Sequence, residues 1–249
     1  MPALTRHDLW RVACRTMLLQ ATWNYERQQG IGWAYAFQPV LERLYPDEAT
    51  RRARLAEHTA YFNTQPTLAS LALGAAAGLE EQRAAGAGPD AEGMARVKGV
   101  LGSALAALGD RLFWFTLRPF AAALGVLLAV AGSPYGAVAF WLCYDSLHLT
   151  LRFAGVGIGY RAGPAVLGGA LRTRLEGLVR RLAVLGCGLL GMLVAMLLLP
   201  SEVMRPVVWQ AAMLGGLLFG SIAALRSRPS PTQWALGLGA LCLVAAWRR

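Results

Sequence analysis

Charged side chains are scarce in this sequence. Of its 249 residues only 15% are charged, whereas 56% are hydrophobic, and the mean hydropathy is +0.42. A soluble domain carries about a quarter charged residues, because water must hydrate its surface. The shortage excludes an ordinary soluble globular protein, so a lipid bilayer must cover part of the chain.

Residues with reactive or metal-binding side chains are also few. The four cysteines have no C-x-x-C spacing, which favours packing as small hydrophobic residues. Three isolated histidines, His7, His58 and His148, are better interpreted as structural than as catalytic. No phosphate-binding loop, paired-carboxylate or Cys/His pattern is present, so we expect no cofactor, no metal site and no catalytic residue.

Two further signals are missing. The first ten residues contain Arg6 and Asp8 and no apolar stretch, which argues against a cleavable signal peptide. Although 24 basic residues exceed 14 acidic ones, no basic stripe alternates with aromatic residues on a polar segment. The sequence therefore does not favour nucleic-acid binding.

Long uncharged runs are present instead. Residues 182–199 and 207–225 carry no charge and approach the length of about 20 residues that spans a bilayer as a helix. The run 232–247 is shorter, and the run 120–151 should break in two at Gly-Ser-Pro, residues 132–134. These runs predict an all-α, polytopic helical membrane protein of the cytoplasmic membrane.

The basic residues indicate an orientation. They cluster in 172–181 and 226–228, whereas residues 201–206 carry one Glu and one Arg. The positive-inside rule places the first two segments in the cytoplasm and 201–206 outside. Arg248 and Arg249 then fall outside, against the rule, unless the last run does not cross.

The N-terminal part is amphipathic. Residues 5–29 have apolar positions at helical spacing between arginines, with Thr5 as N-cap and Asp8 three residues later, and Gly30 and Gly32 should end this helix. Such a helix lies either in the headgroup plane or against a partner, and its pattern does not separate the two.

Two shorter helices should follow. Residues 33–44 form an apolar helix whose Trp33, Tyr35 and Phe37 suit the bilayer interface, and residues 47–59 form a solvated helix.

Two short Ala/Gly-rich helices, 68–79 and 97–108, are predicted on either side of a turn at 86–89. Their small residues suit tight packing against another helix. Short helices broken by Gly and Pro are typical of re-entrant segments that line a substrate cavity, because unwound backbone is tolerated at that depth only beside a cavity. A plain surface hairpin has the same pattern.

Polar residues lie among apolar ones at two places. Asp110, Arg111 and Arg118 flank an aromatic stretch, and a second group, Asn24, Glu26 and Arg27, lies among aromatic residues. Amides, carboxylates and aromatic faces suit a sugar, which offers both hydroxyls and C–H faces. The alternative is structural, with Asn63 and Asp110 as helix caps and Glu26–Arg27 or Asp110–Arg118 as ion pairs.

At these residues the sequence resembles the IID component of the mannose/fructose/sorbose family of the phosphoenolpyruvate-dependent sugar phosphotransferase system. The resemblance covers about the first 180 residues in ordered blocks. They are Gln-Ala-Thr-Trp-Asn-Tyr-Glu-Arg at 20–27, Arg-Leu-Tyr at 43–45, His58, Phe-Asn-Thr-Gln-Pro at 62–66, Leu-Glu-Glu-Gln-Arg at 79–83, Gly-Asp-Arg-Leu-Phe-Trp-Phe-Thr-Leu-Arg-Pro at 109–119, Arg152, Gly155, Gly159, Tyr160, Gly163 and Leu-Glu-Gly at 175–177.

The resemblance implies a membrane subunit that pairs with a IIC subunit in a hetero-oligomer, binds a hexose and passes it inward. Phosphate comes from soluble IIA and IIB phosphocarriers, and the IID chain is not itself phosphorylated. It also implies sugar-site roles for Asn24, Glu26, Asn63, Gln65, Asp110, Trp114 and Arg118, some of which could instead hold the IIC subunit. Contacts with the partner are expected from Trp23, Arg27 and Thr64.

Some positions depart from the family pattern. Phe115 stands where the family usually has Gly, Arg111 where it has Ser or Pro, and Asp145 and His148 replace Asn and Arg; the segment after Leu199 is short. These departures favour one alternative, a IID relative that has lost transport and serves regulation or assembly. An unrelated membrane scaffold with lipid-facing basic helices is another.

The expected organisation has three parts. Residues 1–60 form amphipathic helices for membrane-surface and partner contact, and residues 61–180 form a core with re-entrant helices and the sugar site. Residues 181–249 form the C-terminal transmembrane helices.

Overall fold

The architecture is known from a computed structural model, which describes residues 3–198 and, beyond them, residues 211, 214–216, 218–219, 222 and 225. Within these residues the regular secondary structure is helical, and two isolated bridges are the only strand-like pairings. The predicted all-α class is confirmed. The helices are α1 (Arg6–Arg15), α2 (Gly30–Leu44), α3 (Glu48–His58), α4 (Ala69–Ala84), α5 (Ala91–Leu112), α6 (Arg118–Val130), α7 (Gly136–Ala162) and α8 (Gly169–Leu198).

The chain divides into two compact units, Met1–Leu182 and Ala183–Arg249. The core of the first unit centres on α4, whose residues from Ala69 to Ala77 are all buried. In the second unit, two helical stretches approach so closely that a Cβ on Gly216 would lie 2.5 Å from the carbonyl oxygen of Gly191.

Glycines allow α4 and α7 to cross in backbone contact. A Cβ on Gly159 would lie 2.0 Å from the carbonyl oxygen of Leu71, and one on Gly74 would lie 2.0 Å from that of Val156. No side chain fits in these gaps, so the small residues are what brings the two backbones together. The expectation of tight packing for the Ala/Gly-rich helix is confirmed.

The N-terminal helix is shorter than predicted. The capping box of Thr5 and Asp8 is present, but α1 ends at Arg15, a 3₁₀ turn follows, and Gly30 begins α2 instead of ending the first helix. The single helix 5–29 is therefore wrong. The cause is tertiary packing, because a Cβ on Gly32 would lie only 1.9 Å from the carbonyl oxygen of Leu19.

Two of the three aromatic residues of α2 that were expected at the bilayer interface lie in the protein core instead. Trp33 and Phe37 are fully buried and stack on one another, and their rings also contact those of Phe62 and His58 at a tilt, while Tyr35 is exposed. The predicted solvated helix is confirmed as α3, which Asp47 caps through a 2.8 Å bond from the Thr50 N–H.

The two helices predicted as short are longer. α4 extends to Ala84, and the segment 97–108 lies inside α5, which begins after its N-cap Asp90 and runs through a π-helical turn, Phe113–Leu117, into α6. The prediction that 97–108 is a separate short helix is wrong, because the charged residues of its first turns cap and pair within the helix instead of ending it.

Two helical stretches of the described residues are long and apolar enough to cross a membrane, Ala91–Val130 and Gly169–Met196. The predicted break after α6 is confirmed, since α6 ends at Val130, Gly132 has φ +83, and α7 begins at Gly136. Of the predicted spans 207–225 and 232–247, only eight residues of the first are described, all helical, and the second lies outside the described residues.

Candidate functional site

The loop between α1 and α2 is held by Asn24. Its side-chain oxygen accepts hydrogen bonds from the N–H groups of Glu26 (3.1 Å) and Arg27 (2.8 Å), and its carbonyl accepts from the Gln28 N–H at 2.8 Å. Gln28 takes the left-handed conformation, with φ 53. Such a conformation persists in a non-glycine residue only where its surroundings fix it, so this loop has a defined shape.

The same loop pairs with the Phe-Asn-Thr-Gln-Pro segment. The Phe62 N–H donates to the carbonyl of Arg27 at 3.3 Å, and the Gln29 N–H donates to the carbonyl of Phe62 at 2.8 Å. The buried side chain of Gln29 then donates to the carbonyl of Thr64 (2.8 Å) and accepts from its N–H (3.1 Å). Sequence reasoning missed Gln29, although it lies only two residues after Arg27, the last residue of the motif.

The Phe-Asn-Thr-Gln-Pro segment in turn packs on α5. The Thr64 hydroxyl donates to the carbonyl of Gly102 at 2.8 Å, and a Cβ on Gly109 would lie 2.5 Å from the Cβ of Gln65. The Gln65 side-chain oxygen accepts hydrogen bonds from the N–H groups of Thr67 and Leu68, the two residues that precede α4. The structure thus joins three separate sequence blocks, 23–29, 62–66 and 102–110, into one continuous region.

At the end of α5, the polar residues adjoin a π-helical turn. The guanidinium of Arg118 lies 5.4 Å from the centre of the Trp114 ring, and the Thr116 hydroxyl donates to the carbonyl of Arg111 at 2.6 Å. Within the described residues, the half-buried Asp110 forms no ion pair with Arg118, so the structural pairing considered for them is absent. A π turn inside a long α-helix is frequently found at functional sites.

The predicted residues differ in what they offer a ligand or partner. The side-chain oxygens of Asn24 and Gln65 already accept hydrogen bonds from backbone N–H groups, and the Thr64 hydroxyl donates to the carbonyl of Gly102. Arg27 is half-buried, 3.8 Å from Glu26, and donates to the Thr59 hydroxyl. The side chains left at the surface are Trp23, Glu26, Asn63, Trp114 and Arg118.

A buried polar network lies behind this region. The Trp33 indole donates to Nδ1 of His58 at 3.2 Å, and Nε2 of His58 lies 3.3 Å from a carboxylate oxygen of Glu80. The other oxygen of Glu80 accepts from the Tyr45 hydroxyl at 2.7 Å. His58 and Glu80 are essentially inaccessible to water, so α2, α3 and α4 are joined through one buried carboxylate.

The environment keeps Glu80 ionised. Burial raises its pKa, but hydrogen bonds from His58 and Tyr45 and the charge of Arg83, 3.8 Å away, outweigh burial and leave the pKa below its ordinary 4.5. Burial and the hydrogen bond to this carboxylate raise the pKa of Tyr45. A buried carboxylate with this many donors has a structural role, since each donor compensates part of the cost of burying its charge.

Lys98 completes the network from α5. Its ammonium donates to the carbonyl of His58 at 3.2 Å and lies 4.9 Å from the centre of the Trp33 ring, with 3% of the residue exposed. Sequence reasoning missed it, although a signal exists, because Lys98 is the only lysine among 24 basic residues. Among the described residues, no group of three His, Cys, Asp or Glu side chains is arranged to hold a metal.

Comparison with known proteins agrees with the motifs. Residues 3–215 match the family described as the PTS system mannose/fructose/sorbose family IID component. The chain is 38% identical over 196 residues to the PTS system mannose-specific EIID component of Escherichia coli strain K12, covering 77% of this chain and 68% of that one. It is 35% identical over 191 residues to the sorbose-specific EIID component of Klebsiella pneumoniae, covering 77% and 70%.

A solved structure extends the likeness to the fold. A chain of the mannose transporter ManYZ in complex with microcin E492 superimposes with a TM-score of 0.63 at 30% identity, covering 99% of this chain and 97% of that one. The family resemblance is therefore confirmed, and with it the interpretation as a helical membrane protein. This chain belongs to the mannose/fructose/sorbose family of phosphotransferase-system IID components and is a membrane subunit of a permease of that system.

Proposed function

We propose that this chain forms, with a IIC subunit, the channel that binds a hexose and moves it inward while a IIB phosphocarrier phosphorylates it. IIB receives its phosphate from IIA, and the complex is a hetero-oligomer that crosses the cytoplasmic membrane several times. The observation that carries the proposal is the union of the three sequence blocks into one region with exposed polar and aromatic side chains. Such side chains recognise a sugar by hydrogen bonds and stacking, without covalent chemistry.

Within this region we assign the sugar to the accessible groups. Glu26 and Asn63 offer a carboxylate and an amide at the surface, and Asp110 offers a half-buried carboxylate without an ion-pair partner among the described residues. Trp114 offers a ring face near the Arg118 guanidinium. Asn24 and Gln65 fix the backbone of the site, and we assign the contact with IIC to Trp23 and Arg27.

The test is uptake of labelled hexoses in cells that lack other hexose permeases and are supplied with IIA, IIB and IIC. Uptake should require this chain, and Asp110→Asn or Glu26→Gln should abolish it while membrane insertion stays at the wild-type level. Glu92→Gln is the matched control, because Glu92 is an exposed carboxylate on the same helix as Asp110 and should leave uptake unchanged. Wild-type uptake in both test variants would remove these two residues from the site.

A second candidate is a subunit that assembles with its partners but no longer transports. Exposed large side chains beside Trp114 favour it: Phe115 is 73% exposed, and Arg111 is also exposed, where the family has small residues. In that case the chain copurifies with IIC, yet no hexose is taken up. Neighbouring genes for IIA, IIB and IIC, with the phosphorylated histidine of IIB present, would favour transport.

A further inference from the structure

A narrow cleft separates the second half of α5 from the beginning of α8. Its volume is about 180 Å³, and its walls include Ala104, Ala107 and Leu108 of α5 and Val166 and Leu167 of the 3₁₀ turn before α8. These side chains form an apolar slot. Because they offer no hydrogen-bonding partners, this part of the cleft is a poor site for water.

Guanidinium groups border this slot. Arg111 lines it from α5 and Arg172 from α8, and Arg111 forms no ion pair with any residue the structure describes. Arg172 donates its Nε–H to Glu176 at 2.9 Å, which leaves its two terminal NH₂ groups for another acceptor. A shallow groove on the same helix adds Arg174 and Arg181, so positive charge exceeds the single carboxylate of Glu176.

The sequence places this border at one level of the membrane. Arg172, Arg174 and Arg181 precede the uncharged run that begins at residue 182, and the positive-inside rule puts them on the cytoplasmic side. Arg111 belongs to α5 and lines the same cleft as Arg172. Anionic lipids attract basic residues at that surface, and basic pockets between membrane helices on that side bind anionic head groups.

We propose that this cleft binds an anionic phospholipid, with its phosphate between Arg111 and Arg172 and the start of an acyl chain in the apolar slot. The arginines alone would suit any anion, but the apolar lining of the slot beside them suits a hydrocarbon chain. A membrane phospholipid is the ligand that supplies both parts in one molecule. The site does not depend on sugar transport, because none of its residues belongs to the proposed sugar site.

The experiment is native mass spectrometry of the full-length chain in detergent, titrated with phosphatidylglycerol or with phosphatidylethanolamine of the same acyl chains. Phosphatidylglycerol should bind more tightly. Arg111→Gln and Arg172→Gln should each weaken its binding about fivefold. Arg96→Gln is the control, because it removes an exposed arginine from the same helix, and it should leave binding unchanged.

A second variant tests the slot without changing the charge. Ala107 is exposed at the wall of the cleft, so Ala107→Trp should fold, fill the slot and weaken phosphatidylglycerol binding. The proposal is overturned if both lipids bind equally, if the two arginine variants bind as the wild type does, or if Arg96→Gln weakens binding as much. Equal competition by inorganic phosphate would identify a soluble anion as the ligand. A photo-crosslinker at position 107 that captures a protein subunit instead of lipid would identify a subunit interface.

Discussion

The indole N–H of Trp33 points at Nδ1 of His58 across 3.2 Å. Because an indole nitrogen only donates, Nδ1 must be unprotonated, and the single ring proton of a neutral His58 lies on Nε2, facing Glu80. A second proton would set two N–H groups against each other in a dry site. Burial is the main cause that keeps the pKa of His58 below its ordinary 6.5, and the charge of Lys98 adds to it, although Glu80 acts in the opposite direction.

This relationship predicts that the folded protein loses stability in mild acid. Below pH 6.5 the unfolded chain protonates this histidine to a greater extent than the folded chain does, so the unfolded state binds more protons and stability falls as the pH falls. The loss should approach about 1.4 kcal/mol per pH unit, the limit for one proton. The lowered pKa of Glu80 adds a further loss only below its ordinary 4.5.

Thermal unfolding in detergent between about pH 7.5 and pH 5.5 measures this effect. His58→Gln should be less stable at neutral pH but should show a flatter profile. His7→Gln, which removes an exposed histidine, should follow the wild type. A His58→Gln profile as steep as that of the wild type would show that another group causes the acid sensitivity.

The hydroxyl of Tyr45 gives a second prediction. Tyr45→Phe removes one donor from the buried Glu80 carboxylate and keeps the ring, so the free energy of unfolding should fall by about 1.5–3 kcal/mol, as for a hydrogen bond to a charged group. Tyr25→Phe is the matched control, because Tyr25 is 89% exposed and should tolerate the change. Equal stability of the two variants in chemical unfolding would mean that Glu80 finds another donor.

Two neighbouring glycines of α7 test the helix crossing. Gly159→Ala places a methyl group 2.0 Å from the carbonyl oxygen of Leu71, so α4 and α7 must separate, and expression of folded protein should drop sharply. Gly157→Ala should be neutral or slightly stabilising, because the nearest atom lies 3.7 Å away and Ala favours a helix by about 1 kcal/mol over Gly. The yield of monodisperse protein after gel filtration separates the two. Wild-type yield of Gly159→Ala would show that the crossing is looser than the structure has it.

Local signals predicted most of the helices, since caps and breakers act within a few residues. Thr5 and Asp8 mark the start of α1, Asp47 marks α3, and Gly132 marks the break after α6. The early end of α1 was not predicted, because contacts with residues farther along the chain hold the segment that follows it. The guanidinium of Arg152, 136 residues away, donates to the carbonyl of Thr16 at 2.7 Å where α1 gives way to the turn.

The motifs identified segments that meet in the structure, but they did not predict the role of each side chain. Asn24 and Gln65 were predicted to bind the sugar and Thr64 to contact the partner subunit, yet each bonds to backbone groups within the chain. Their partners are backbone atoms, whose positions a sequence pattern does not reveal. His58 was expected to be structural, but its link to Trp33 and Glu80 requires three helices to meet, which no local pattern encodes.

The π-helical turn places two phenylalanines, two positions apart in the sequence, in opposite environments. Phe113 is fully buried, with its ring 6.1 Å from that of Tyr144, whereas Phe115 is 73% exposed. Phe113→Ala should therefore cost about 3–5 kcal/mol of stability, as for a buried aromatic residue, and Phe115→Ala should cost little. Chemical unfolding of the two purified variants measures the difference.

The same pair separates packing from function. If Phe115 only occupies space at the proposed site, Phe115→Ala should keep or raise hexose uptake, because the side chain is smaller and the fold is intact. If Phe115 instead contacts the IIC subunit, the variant should insert normally but copurify with less IIC, since an exposed aromatic side chain that becomes buried between subunits is a typical source of binding energy. A loss of folded Phe115→Ala protein equal to that of Phe113→Ala would contradict the exposed position of Phe115 and both of these roles.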